Sequence, residues 1–150
     1  ELVDNVIDKQ DSSSTSGFNV PLSFVNETSA SGGSAAAKHL TKIITLENDA
    51  VGLKILLSAN RPNGTDFQLF FRTGTSDEIL SDKSFTLQQP ETVLPTDDND
   101  TIFREYRYLI GGQNGVLPAF TKFQAKIVFR SINSAKVPRI KDLRIIALSV

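Results

Sequence analysis

The alternation of apolar and polar side chains is clearest in the last third of the chain. Over residues 122–130 (KFQAKIVFR), Phe123, Ala125, Ile127 and Phe129 fall on one phase. Lys122, Gln124, Lys126 and Arg130 fall on the other, with Val128 as a lone apolar exception. A period of two is the mark of a strand with one face on a core and one toward water. By that reading Lys126 is a solvent-facing position. A polar turn follows, and Pro138 excludes helix at Val137. The next strand has Leu143, Ile145 and Ala147 inward and Ile146 and Leu148 outward. These two closing strands are expected to pair. Amphipathic strands do not stand alone in water, so an opposing sheet must come from upstream.

Upstream the same pattern recurs. Residues 39–46 read as a strand with Leu40, Ile44 and Leu46 inward. Residues 51–59 read as another, through Val51, Leu53, Ile55, Leu57 and Ala59. The sequence Arg61-Pro62-Asn63-Gly64 then predicts a turn, because proline presets the first dihedral and glycine accepts a left-handed one. Phe67, Leu69 and Phe71 would form the return strand of a hairpin. Thr75-Ser-Asp-Glu78 has the form of a capping box. Phe85 and Leu87 suggest a brief strand, residues 89–101 a long polar loop, and residues 102–110 a strand with Tyr106 and Tyr108 on one side. Short strands, frequent turn signals and no convincing helix predict an all-β antiparallel β-sandwich over residues 38–150.

Residues 1–37 have another texture. Residues 11–17 and 29–37 are small and polar, as linkers are. Between them Phe18, Val20, Leu22 and Phe24 alternate in FNVPLSF, and Pro21 restricts that strand to an edge or an extended arm. It is expected either on the domain's own sheet edge or on a neighbouring subunit by strand addition.

Composition narrows the function classes. The 150 residues carry a formal net charge of -1, which gives no global attraction to nucleic acid or membrane phosphates. No apolar run approaches the length of a membrane-spanning helix. The chain begins at Glu1 and reads as an ordered piece of a longer polypeptide. With no cysteine, thiolate catalysis, disulfides and cysteine-ligated metals are excluded. His39 is the only histidine and has no orienting partner in sequence, so an ordinary strand-end role is expected. Asp97-Asp98-Asn99-Asp100 could offer oxygens to calcium but lacks EF-hand spacing, and a solvated loop is expected. No catalytic, cofactor or metal residue is therefore assigned. The basic residues of the C-terminal half alternate with core positions as the wet face of a sheet. Among them Arg139, Lys141 and Arg144, near Ile146 and Leu148, resemble a protein-contact edge. Carbohydrate is a further ligand class that jelly rolls take, although there is no Trp and Phe70 is the one aromatic clearly on an outer phase. The sequons at Asn26, Asn63 and Asn99 bear only on a secreted eukaryotic protein.

Two segments together carry a family resemblance. Residues 53–67 (LKILLSANRPNGTDF), running on to Phe71-Arg72, resemble a segment of virion structural proteins of T4-like contractile-tailed phages. There a strand ends in an Arg/Lys-Pro-x-Gly-Thr-Asp turn and an aromatic strand follows. Residues 103–108 (FREYRY), 123–128 (FQAKIV) and 136–148 (KVPRIKDLRIIAL) resemble the same proteins' closing pattern. The resemblance spans residues 38–148. It implies a non-catalytic tail or baseplate component, assembled in the host cytoplasm into the virion, whose partners are other tail or baseplate subunits or copies of itself. Phe18, Val20, Leu22, Phe24, Arg139, Arg144, Ile146 and Leu148 are the expected subunit contacts. The closing strand–loop–Pro–strand pattern is also similar to galactose-binding-like jelly rolls, which bears on fold rather than on any sugar site.

Overall fold

The computed structural model describes residues 25–35, 37–111, 117–132 and 135–149. Its strands are β1 (Lys38–Leu40), β2 (Ile44–Ala50), β3 (Gly52–Asn60), β4 (Thr65–Gly74), β5 (Thr86–Gln88), β6 (Arg104–Gly111), β7 (Phe120–Ser131) and β8 (Arg139–Leu148). They form two antiparallel sheets. The larger has the order β1-β7-β4-β5 with β2 also on β7, and the smaller has the order β6-β3-β8. The protein is a β-sandwich.

The inward phases make the core. Leu53, Ile55, Leu57 and Ala59 of β3 and Tyr106, Tyr108 and Ile110 of β6 meet Phe67, Leu69 and Phe71 of β4 and Phe123, Ala125 and Ile127 of β7. Burying each large apolar side chain contributes about 1.5–3 kcal/mol. The Phe67 and Tyr106 rings join the two sheets edge to face, with centroids 4.9 Å apart.

Several local expectations are corrected. The two closing strands do not pair: β7 is central in the larger sheet, and β8 pairs with β3 in the smaller. Alternation records which face is buried but not which strand lies alongside. The turn at residues 61–64 does not close a hairpin either. It carries the chain from β3 in one sheet to β4 in the other, and Gly64 takes the left-handed conformation expected of it (φ +82). The strand expected over 39–46 is split into β1 and β2, with Leu40 and Ile44 exposed. Thr75 and Glu78 make half of the capping box, since Glu78 Oε1 accepts the Thr75 N–H at 2.9 Å. The helical turn comes later, at Leu80–Asp82.

The linker reading does not hold for residues 29–35 and 37. Residues 25–35 lie on the outer face of the larger sheet, where Thr28 O accepts the Phe85 N–H at 2.8 Å. The Ala37 carbonyl accepts from Phe129 N at 3.0 Å, leading directly into β1. The segment that covers the sheet is poor in apolar residues, so polar contacts hold it.

Candidate functional site

The outer face of the larger sheet is closed. Lys126 stands on the outer phase of β7, as its position in the alternation requires, yet its side chain is 0% exposed. Its Nζ donates to the Glu27 carbonyl at 2.6 Å, to Glu27 Oε1 at 3.2 Å and to the Gly32 carbonyl at 3.0 Å. The expectation of a solvent-facing Lys126 is thereby overturned. Glu27 is equally covered, and its Oε2 accepts the Ala35 N–H at 2.8 Å. Burial pushes the Glu27 carboxyl up, but the Ala35 N–H, Lys126 and Lys38 outweigh it and hold the group below its ordinary value. Phe70, Phe85, Val128 and Ala35 form a small apolar cluster around this pair. The ammonium lies 4.3 Å from the Phe85 ring centroid and 5.0 Å from that of Phe70. Beside it, Arg72 donates through Nη2 to Gln124 Oε1 at 2.6 Å and through Nη1 to the Ala30 carbonyl at 3.2 Å. Phe70 and Val128, apolar on an outer phase, were the sequence's signal that this face is covered.

The outer face of the smaller sheet carries no such cover among the described residues. Register sets its side chains in rows: Leu109, Lys54 and Ile146 in one, Arg107, Leu56 and Arg144 in the next. Ile146 is 46% exposed, Arg144 is exposed, and Leu148 is half-buried beside Gly52. Three of the expected contact residues thus lie together on β8. Arg139, at the far end of that strand, has other duties: it donates to Asn60 Oδ1 at 3.2 Å and to the Asp100 carbonyl, and it stacks on Phe103. Phe18, Val20, Leu22 and Phe24 lie outside the described residues.

Two groups singled out for their chemistry resolve into structure. His39 is exposed on β1. In the acidic loop, Asp98 is buried and its Oδ1 accepts from Arg104 Nε at 2.6 Å, while its Oδ2 accepts the Arg61 N–H at 3.0 Å. Asn60 Nδ2 donates to the Asn99 and Ile102 carbonyls at 2.6 and 2.7 Å. The cluster ties the long loop to the turn that joins the sheets. Among the described residues no group of His, Cys, Asp and Glu is arranged to hold a metal ion.

A cleft of about 360 Å³, which the sequence did not announce, opens between β4–β5 and β6 under the 89–96 loop. The Arg61–Asp66 ion pair (2.9 Å), Tyr106 and Tyr108 line it, with Leu87, Pro90 and Leu94 as apolar walls. The Tyr106 hydroxyl is buried and makes no well-formed hydrogen bond among the described residues. Burial raises its pKa, and the nearby Arg61 guanidinium only partly offsets this.

Comparison with protein-family models, with curated proteins and with solved structures returns no match.

Proposed function

We propose that this chain is a non-catalytic interaction domain that assembles with neighbouring subunits, and that its setting is the tail or baseplate of a contractile-tailed phage. The observation that carries the assembly reading is the asymmetry of the two outer faces. One is sealed by the protein's own residues 25–35, whereas the other presents Leu109, Ile146 and Leu148 around the buried Leu56, among Lys54, Arg107 and Arg144, with nothing described above it. A partly apolar, charge-framed sheet face of this kind suits a protein contact. The setting rests on the resemblance of residues 38–148 to virion structural proteins. Immunogold labelling of intact particles with antibody to the 150-residue chain tests it. Label at the tail or baseplate supports the reading, and particles free of the chain contradict it.

The cleft favours a second reading, a binding module for a small hydroxyl-rich ligand such as a monosaccharide. The Tyr106 hydroxyl, the Arg61–Asp66 pair and the apolar walls offer donors, an acceptor and a stacking surface in one place. Calorimetric titration with monosaccharides tests it. Saturable binding abolished by Tyr106→Phe supports it, and the absence of heat at about millimolar sugar, the weak end of specific binding, counts against it.

A further inference from the structure

Both sheets end on the same side of the sandwich. The groove there is lined by His39, Ile127 and Phe129 from the larger sheet and by residues 140–143 of β8 from the smaller. At the end of this side where β2 runs into β3, the Val51 N–H donates to the Leu148 carbonyl at 2.8 Å, so β2 and the second half of β8 are neighbours there.

Strand β2 and strand β8 carry opposite net charge, with Lys42 just before β2 and Asp142 on β8 as exposed exceptions. On β2, Glu47 and Asp49 are exposed beside Ile44, with Ile43 exposed just before the strand. On β8, Arg144 is exposed beside Ile146, while the exposed Lys141 lays its ammonium over the Phe103 ring, 4.2 Å from its centroid. No ion pair joins Glu47, Asp49 or Arg144 to another described residue, whereas Glu27, Asp66, Glu78, Asp98 and Glu105 are each paired. Neither edge invites simple strand addition. The β2 register breaks between Thr45 and Ala50, and β8 is bulged opposite Leu57, where Asp142 has φ 56. Bulges of this kind blunt an edge against continuing its sheet.

We infer that this side is a two-fold interface between two copies of the chain, held by side chains rather than by a continued sheet. A two-fold axis parallel to the strands inverts the order of the layers, setting the acidic β2 edge of each copy against the basic β8 edge of the other. Glu47 and Asp49 then face Arg144 twice over, and Ile44 and Ile146 are covered between them. An isologous contact requires both complementary patches on one surface, and this surface has both. The inference rests on the assembly reading and specifies one of its partners as a second copy.

Sedimentation equilibrium of the 150-residue chain over a concentration series, at low and high salt, is the test. The expected result is a monomer–dimer equilibrium that weakens with salt. Arg144→Glu should weaken it by about tenfold or more, since it sets like charges together. The double variant Glu47→Arg with Arg144→Glu should recover much of it by reversing the Glu47–Arg144 pair. Circular dichroism melts matching the wild type show that the variants remain folded. A chain that stays monomeric throughout, or a dimer indifferent to Arg144→Glu, overturns the inference. Either result leaves assembly with other subunits to be judged by the particle labelling, which does not depend on self-association.

Discussion

Lys126 and Glu27, 99 residues apart in sequence, form a buried ion pair with Nζ 3.2 Å from Oε1. Their side chains are 0% and 3% exposed. The pair fastens residues 25–35 to the sheet, because the same ammonium also takes the Glu27 and Gly32 carbonyls. Removing one partner of such a pair leaves the other charge buried and uncompensated. Lys126→Ala should therefore cost about 3–5 kcal/mol in denaturant melts, comparable with the roughly 2–5 kcal/mol expected for the core change Ile127→Ala. A Lys126→Ala cost of under about 0.5 kcal/mol, the value for an ordinary surface position, would mean that the segment is not held there.

The same pair gives a pH dependence. The folded Glu27 carboxyl titrates below its ordinary 4.5. As pH falls the unfolded chain therefore takes up this proton first, so the stabilisation is complete above the ordinary value and is lost as pH drops through the depressed folded one. Glu78, held down to about 2 by its hydrogen bond to Lys83, acts in the same direction from the surface. The difference between wild type and Glu27→Gln isolates the buried group. Thermal melts should show the wild type losing its advantage over Glu27→Gln below about pH 4.5. An advantage that is constant across that range would refute the assignment.

Gly64 has φ +82, and a Cβ there would lie 3.0 Å from Ile132 Cγ1. A β-branched residue resists this conformation, so Gly64→Val should destabilise by more than about 1 kcal/mol. A neutral substitution would show that the turn between the sheets tolerates another path.

The acidic loop is expected to depend on arginine rather than on a cation. Both Asp98 carboxylate oxygens are already engaged, by Arg104 Nε and by the Arg61 N–H. Asp98→Ala should cost about 1–3 kcal/mol, as for a lost buried acceptor, while a chelator leaves the melting temperature unchanged. A fall of several degrees on chelation, reversed by calcium, would contradict this.

The sandwich was legible because its core strands obey one rule. Leu53 to Ala59 and Phe123 to Ile127 alternate, with Leu56 the one apolar residue on the outer phase, and each inward residue is buried. Sheet membership was not legible. The alternations of β7 and β8 are equally compatible with pairing and with lying in opposite layers, and tertiary packing decides between them. The cover over Lys126 was hidden for a different reason. Residues 25–35 bind by backbone carbonyls and one carboxylate, so their Gly- and Ser-rich composition resembles that of a free linker. The apolar Phe70 and Val128 on the outer phase marked the place but could not say what covers it. Of the expected contact residues on β8, Arg144, Ile146 and Leu148 share one face, while Arg139 contacts Asn60, Asp100 and Phe103.

Assembly through the bare face of the smaller sheet is tested most directly by lysine cross-linking and mass spectrometry on the intact assembly that contains the chain. Lys54 lies on that face and Lys141 at its β8 edge, half-buried and exposed respectively, whereas Lys126 is covered. The expected result is cross-links from Lys54 and Lys141 to another subunit or to a second copy, with Lys126 unmodified. Cross-links from Lys54 and Lys141 confined to their own chain, with intersubunit links arising only elsewhere, would contradict the assembly reading.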